Sequence, residues 1–140
     1  MLDKTYTVDF LSLAEGQKIY GAGTILAASA GPESLIELNN DSGISGITVD
    51  CNGLARRAIG GLKKTGIYIK EDVKVTGSLR ATAPGSLIHA VQLLDCSEFE
   101  IDGISVENSE SGILLLKCRY GNINGAKFAG LLNADRCRDR

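Results

Sequence analysis

The feature that most constrains this chain is a stretch of sixteen residues that occurs twice, 22 residues apart, at 91–106 and 113–128. The copies align without a gap at apolar, cysteine and glycine positions: Val91 and Ile113, Cys96 and Cys118, Ile101 and Ile123, Gly103 and Gly125. Each copy holds three short apolar runs separated by turn residues. Such a unit buries its apolar face only when neighbours stack on it. The duplication therefore predicts an all-β solenoid in which each copy is one coil.

The composition agrees with a thin aliphatic core. Hydrophobic residues make up 44% of the 140 residues, but aromatic residues only 5%, and the chain has no Trp. Glycine is frequent at 17 residues, as expected where tight turns recur between short strands. The formal charge of -2 provides no field that would attract nucleic acid or an anionic membrane. We therefore expect neither as a partner.

The same template predicts further coils with looser spacing. First strands are predicted at 36–38, 67–69, 91–93, 113–115 and 132–134, with the middle residue of each pointing outward. Second strands end before a glycine that bends the chain through a positive φ, at Gly46, Gly77, Gly103 and Gly125. Third strands follow at 47–49, 79–81, 104–106 and 126–128. The longest predicted loop is 50–65, which becomes a place to look for function.

The whole chain, 1–140, is predicted to be one β-helix domain. Residues 1–17 form a lead-in or cap, and residues 18–137 form the coils. No capping element follows the last predicted strand, and an open solenoid end exposes strand edges. We therefore expect a longer native chain, or a second chain such as another copy, to cover that end. The N-terminus carries no signal-peptide pattern.

The cysteines do not suggest a metal site. No CxxC pair is present and His89 is the only histidine, so no metal ligand set is predicted. Cys96, Cys118 and Cys137 are predicted to occupy one position of successive coils, about 4.8 Å apart, which is within reach of a disulfide. Buried reduced thiols are the alternative.

A set of independent β-hairpins is the structural rival, because Asp-Gly at 102–103 and Asn-Gly at 124–125 are typical hairpin turns. Hairpins pair each strand with its sequence neighbour and require no alignment between repeats. The gapless repeat therefore favours the solenoid.

Three segments carry a resemblance to a known superfamily: GISGITVDCNG at 43–53, EIDGISVENSESGI at 100–113 and GILLLKCRYGNINGAKF at 112–128. They resemble the right-handed parallel β-helices of the pectate-lyase-like superfamily, which includes pectinases, alginate epimerases and bacteriophage tailspike depolymerases. The resemblance implies a single-stranded right-handed parallel β-helix of about five to six coils, each with three short strands. It also implies an extracellular or virion-associated protein with a polysaccharide partner.

The chain departs from that superfamily in two respects. Glycines stand where the superfamily often has an asparagine ladder. The paired aspartates of polygalacturonases, and the calcium-binding aspartates and arginine motif of pectate lyases, are missing. No cofactor is therefore predicted, and calcium is implied by the resemblance alone.

In the superfamily, sugars lie on the outer face of the first sheet and the loops beside it, which nominates several residues here. The candidate catalytic residues are Glu37, Tyr68, Asp72 and Asp95. Hydrolysis needs two carboxyl groups roughly 5–9.5 Å apart, and Glu37 with Asp72, or Asp72 with Asp95, are the candidate pairs. A lyase or epimerase instead needs a base and a cation, for which Tyr68, Lys70, Arg80 and His89 are the candidates.

The candidate substrate-binding residues are Arg56, Arg57, Lys70, Gln92 and Asn133. Arg56 and Arg57 join Lys63 and Lys64 in a basic patch of the long loop, suited to an acidic polysaccharide. Each candidate also has a structural explanation, since polar residues alternate outward on exposed strands and aspartate is favoured in turns. The leading hypothesis is a β-helix segment of a tailspike depolymerase, polysaccharide lyase or glycoside hydrolase. Its rival is a non-catalytic structural or glycan-binding β-helix, such as a virion adhesin or trimer scaffold.

Overall fold

A computed structural model of the chain describes residues 2–29, 34–78, 89–109 and 111–129, and the backbone of 137–139. The regular structure in these residues is β-strand, and no described helix is long and apolar enough to cross a membrane. The strands are β1 (Thr5–Val8), β2 (Leu11–Ser12), β3 (Lys18–Tyr20), β4 (Thr24–Ala27), β5 (Ser34–Glu37), β6 (Gly43–Ser45), β7 (Thr48–Asp50), β8 (Arg57–Leu62), β9 (Tyr68–Thr76), β10 (His89–Leu94), β11 (Glu100–Glu107), β12 (Ser111–Leu116), β13 (Asn122–Ala129) and β14 (Cys137–Asp139).

The strands form two sheets in which every pairing is parallel. The first sheet has the order β14-β12-β10-β8-β5-β2. The second sheet has the order β1-β4-β7-β9-β11-β13, with β3 and β6 joined to it at β9. The chain passes from the first sheet to the second and then returns to the first, one strand position further along. This confirms the predicted all-β architecture of stacked parallel strands.

The interior is built from columns of like side chains. Ile101 pairs with Ile123 on one side and Ile69 on the other, and Ile44 follows Ile69 in the same column. The first sheet supplies a second column: Ile36, Ile59, Val91 and Ile113, all fully buried. Burying an aliphatic side chain of this size stabilises a fold by about 1.5–3 kcal/mol. The stacking of the duplicated stretch is therefore confirmed, and it forms the core.

Glycines bend the second sheet, as predicted, at most of its windings. Gly46, Gly103 and Gly125 have positive φ, and so does Gly21. Gly21 and Gly46 lie between consecutive strands of the second sheet, whereas Gly103 and Gly125 lie within β11 and β13. A Cβ at Gly46 would lie 2.6 Å from the carbonyl oxygen of Gly21. A side chain is therefore excluded at Gly46 by close backbone approach as well as by its φ of 72°.

The winding at 57–76 differs from the prediction by one strand. Residues 67–69 were predicted to enter the first sheet, but β8 occupies that place, because Ile59 pairs with both Ile36 and Val91. Tyr68 to Lys70 instead belong to the second sheet, and the stretch from Val73 to Val75 follows them as the third strand. The predicted loop at 50–65 is thus wrong, since six of its residues form β8.

Two local features account for this error. The bend of this winding is made by Glu71 and Asp72, with φ of 61° and 56°, so no glycine marks it. Gly77, which was predicted to mark it, lies beside the turn after β7, where a Cβ would be 2.9 Å from the nitrogen of Asn52. The strand β8 contains Gly60 and Gly61, which read as loop residues.

The ends of the described chain add two observations. Parallel pairing begins upstream of residue 18, with Leu2 against Gly21, β1 against β4 and β2 against β5. Cys137 pairs with Ile113 in the first sheet, so the prediction that it stacks on Cys118 is wrong. The predicted strands at 79–81 and 132–134 lie outside the described residues, although Cys137–Asp139 hold the first-sheet place expected for 132–134.

Candidate functional site

The predicted first strands would place a ladder of outward residues on the outer face of the first sheet, and the structure shows only part of it. The predicted members are Glu37, Tyr68, Gln92, Leu114 and Asn133. Glu37 pairs with Gly60, and Gly60 with Gln92, so the neighbour of Glu37 is a glycine and not Tyr68 as predicted. Oxygen Oε1 of Glu37 lies 2.7 Å from the place where a Cβ of Gly60 would be. The Glu37 side chain therefore covers Gly60. Leu114 completes this part of the ladder beside Gln92.

The predicted carboxylates lie at different places on the winding. Asp95 is exposed in the turn after β10, where its N–H donates to the carbonyl of Leu116 at 2.8 Å. Asp72 was predicted to share that type of turn, but it is exposed at the bend of the second sheet, next to Gly103. Glu37 belongs to the first sheet. The structure does not bring the predicted acid pairs together at one place.

The predicted basic loop is divided by a strand. Arg57 begins β8, whereas Lys63 and Lys64 follow its end. Arg56 precedes the strand, and its carbonyl accepts a hydrogen bond from Ser78 Oγ at 2.7 Å. The four basic residues therefore do not form one continuous loop patch.

The remaining candidates divide between a buried residue and undescribed ones. His89 begins β10, is 4% exposed and pairs with Ser111. A buried position of this kind is suited to packing. Arg80 and Asn133 lie outside the described residues.

Tyr68 and Lys70 are the two predicted site residues that the structure brings together. They alternate with the inward Ile69 on β9, so both side chains point outward. The Tyr68 ring lies flat on Gly43, where a Cβ would be 2.5 Å from three of the ring carbons. The Lys70 ammonium lies 4.9 Å from the centroid of the same ring. Because Gly43 has no side chain, the outward Tyr68 ring can pack directly against its backbone.

The next strand adds two carboxylates to this arrangement. Glu100 pairs with Tyr68 and Asp102 pairs with Lys70 in the register of β9 and β11. Lys70 Nζ lies 3.0 Å from Glu100 Oε1. That hydrogen bond raises the pKa of the Lys70 ammonium, and partial burial raises the pKa of the Tyr68 hydroxyl. At neutral pH the site therefore holds a charged lysine and a neutral tyrosine.

Two amides extend the same surface. Asn122 and Asn124 on β13 pair with Glu100 and Asp102, and both are exposed. We define the tyrosine face by its residues: Gly43, Tyr68, Lys70, Glu100, Asp102, Asn122 and Asn124. It is a strip on one side of the second sheet that follows the stacking direction of the strands.

Sequence reasoning missed five residues of the tyrosine face, namely Gly43, Glu100, Asp102, Asn122 and Asn124. A signal for four of them was present in the duplicated stretch. The outward positions of its second strands read Glu-x-Asp in one copy and Asn-x-Asn in the other. The lateral contact with Tyr68 was not visible, because it depends on the register that the prediction had displaced.

The described residues contain no group of three or more His, Cys, Asp or Glu side chains arranged to hold a metal ion. Comparisons with protein-family models, with curated proteins and with solved structures found no match for this chain.

Proposed function

We propose that this chain is a right-handed parallel β-helix of about five to six coils, and that it binds polysaccharide through the tyrosine face without cleaving it. The observation that carries the proposal is the Tyr68 ring seated on Gly43, with Lys70 and Glu100 beside it. The proposal keeps the polysaccharide partner implied by the pectate-lyase-like resemblance. It favours the binding protein over the depolymerase, lyase or hydrolase.

The chemistry of the tyrosine face suits a sugar. A pyranose ring has an apolar face of C–H groups and a rim of hydroxyls. An aromatic ring matches the first, and adjacent carboxylates and amides, which accept and donate hydrogen bonds, match the second. Asp102, Asn122 and Asn124 are exposed and supply those groups. The strip follows the stacked strands, so successive sugar units of a chain would meet successive strands.

The arrangement gives less support to catalysis. Hydrolysis requires one carboxyl group as acid and another as base or nucleophile. The carboxylate of Glu100 is bound to Lys70, and Asp102 projects from the same strand of the same face. Glu37, Asp72 and Asp95 lie elsewhere on the winding. A binding role uses the tyrosine face as it stands, whereas cleavage would require Glu100 to leave Lys70 before it could act as an acid or base.

The test is glycan binding by wild type and two variants of exposed aromatic residues, measured by affinity electrophoresis and calorimetry over a panel of neutral and acidic polysaccharides. We expect Tyr68→Ala to weaken binding by about tenfold or more, which corresponds to about 1.4 kcal/mol. Phe10→Ala is the control, because Phe10 is an aromatic side chain that is 62% exposed between β1 and β2, and it should bind as wild type does.

Each outcome of this test decides something. A wild-type protein that binds no member of the panel, or a Tyr68→Ala variant that binds as well as wild type, would overturn the proposal. A reducing-end or unsaturated-product assay on the same panel should remain silent. Product formation that is lost in Glu37→Gln or Asp72→Asn would restore the enzyme hypothesis. Circular dichroism of each variant verifies that its fold is intact.

A further inference from the structure

The tyrosine face carries charges of both signs. Among its defining residues the cation is Lys70 and the carboxylates are Glu100 and Asp102. A second lysine, Lys18 on β3, pairs with Gly43 at the edge of the face. Lys70 and Glu100 are both about two-fifths exposed, at 41% and 42%, and remain in contact with solvent. A ligand approaching the face therefore meets these charges directly.

The cation beside Tyr68 is already engaged. Lys70 Nζ is held by Glu100 at 3.0 Å, lies over the Tyr68 ring at 4.9 Å and faces Asp102 across the strand pair. A carboxylate on a ligand would have to displace Glu100 from Lys70 while it remained close to Asp102. Like charges brought together at an interface oppose binding and select against the wrong partner.

We infer that the tyrosine face selects neutral glycans over uronic-acid or otherwise anionic glycans, and that Glu100 is the specificity-determining residue. The inference rests on the proposed glycan-binding function. It departs from the expectation, based on the basic residues around Arg56 and Lys63, that an acidic polysaccharide is the ligand. Glu100 acts by occupying Lys70, and the hydroxyl-binding groups of the face are then left for an uncharged sugar.

The chain contains a matched ion pair that serves as control. Lys74 and Glu107 join the same two strands, β9 and β11, with Nζ 3.1 Å from Oε1. Their side chains are 52% and 35% exposed, similar to the Lys70 pair. They lie past the bend of the second sheet, in the part that pairs with Thr48 and Ser105, and therefore away from Tyr68.

The experiment measures binding of one neutral polysaccharide, a galactomannan, and one acidic polysaccharide, polygalacturonate, to wild type, Glu100→Gln and Glu107→Gln at low salt. Wild type should bind the neutral polymer more tightly. Glu100→Gln keeps the size of the side chain and releases Lys70, so its affinity for polygalacturonate should rise about tenfold. This gain should fall at high salt, because exposed charges are screened. Glu107→Gln should change neither affinity.

A second variant assigns the gain to Lys70. Adding Lys70→Met to Glu100→Gln should return polygalacturonate binding to the wild-type level. Equal or tighter wild-type binding of polygalacturonate, or no gain in Glu100→Gln, overturns the inference while the proposed function stands. A gain of similar size in Glu107→Gln also overturns it, because the effect would then be one of net charge alone. Binding of neither polymer by any protein in the set overturns the proposed function itself.

Discussion

Two windings of this chain contribute to the same column of buried isoleucines, but they differ in the residues that form their bends. In the duplicated stretch, β10 to β13, each second strand runs into a glycine, at Gly103 and Gly125. In the winding built from β8 and β9, Glu71 and Asp72 occupy the bend with positive φ, and glycines lie in the strand before it. The difference shows that a bend of this solenoid requires a backbone with positive φ. Glycine adopts that conformation most easily, but other residues can adopt it too.

The glycines of β8 have their own explanation in packing. Gly60 points outward under Glu37, and a Cβ at Gly61 would lie 3.1 Å from Leu93 and 3.5 Å from Cys96. Side chains from adjacent windings thus fill the space that these glycines leave. Glycine weakens a strand and commonly marks a place where another group approaches closely. The winding at 57–76 therefore places its glycines where neighbours need room.

The largest effect that tests the comparison is removal of the shared column. Ile69→Ala and Ile101→Ala each delete a side chain that is 1% exposed, and each should lower the free energy of unfolding by about 2–5 kcal/mol in urea titrations. Because the two residues pair directly, the double variant should deviate from additivity by about 0.5–3 kcal/mol.

The control for this cycle is Ile69→Ala with Leu93→Ala. The displaced register would pair Ile69 with Leu93, whereas in the structure Leu93 pairs with Gly61. The coupling of Ile69 to Leu93 should therefore be smaller than its coupling to Ile101. The opposite order would mean that Tyr68 to Lys70 belong to the first sheet, and the tyrosine face would then not exist.

An intermediate effect is expected from a side chain at a glycine bend. Gly103 has φ of 90°, and a Cβ there would lie 2.8 Å from the nitrogen of Asp72. Gly103→Ala should destabilise the protein by about 2–3 kcal/mol, through the left-handed conformation and the backbone contact together. Thermal unfolding monitored by circular dichroism measures it.

Gly16→Ala separates the two contributions. Gly16 also has positive φ, 77°, but a Cβ there would meet nothing within 4 Å. Its cost should be the conformational one alone, about 1 kcal/mol. Equal losses at Gly103 and Gly16 would contradict the tight stacking of the bends in the second sheet.

The duplicated stretch was sufficient to predict the fold class, the inward columns and the bends at Gly46, Gly103 and Gly125, because each of these repeats within the sequence. The prediction for the winding at 57–76 was displaced by one strand, because the glycines of this winding lie within β8 and its bend contains Glu71 and Asp72 instead. The candidate site suffered from that displacement. Tyr68 and Lys70 were selected for their chemistry, but their partners Glu100 and Asp102 are set by lateral register, which one winding of sequence does not encode alone.

The smallest expected effect tests whether the bend at Glu71 and Asp72, which contains no glycine, is strained. Asp72 has φ of 56°, a conformation that glycine adopts without steric cost and that aspartate tolerates better than most residues. Asp72→Gly should relieve that cost, but it also gives the unfolded chain more freedom. The net gain should be about 0.5 kcal/mol, or roughly 2 °C in melting temperature.

Asp72→Ala is the matched variant, because it removes the same carboxylate and keeps a Cβ at positive φ. If the backbone conformation sets the stability of this bend, Asp72→Gly should be more stable than Asp72→Ala by about 1 kcal/mol, and wild type should lie between them. If instead the carboxylate of Asp72 stabilises the bend, both variants should lose stability together. In that case the carboxylate of Asp72, and not its positive-φ backbone, would determine the stability of this bend.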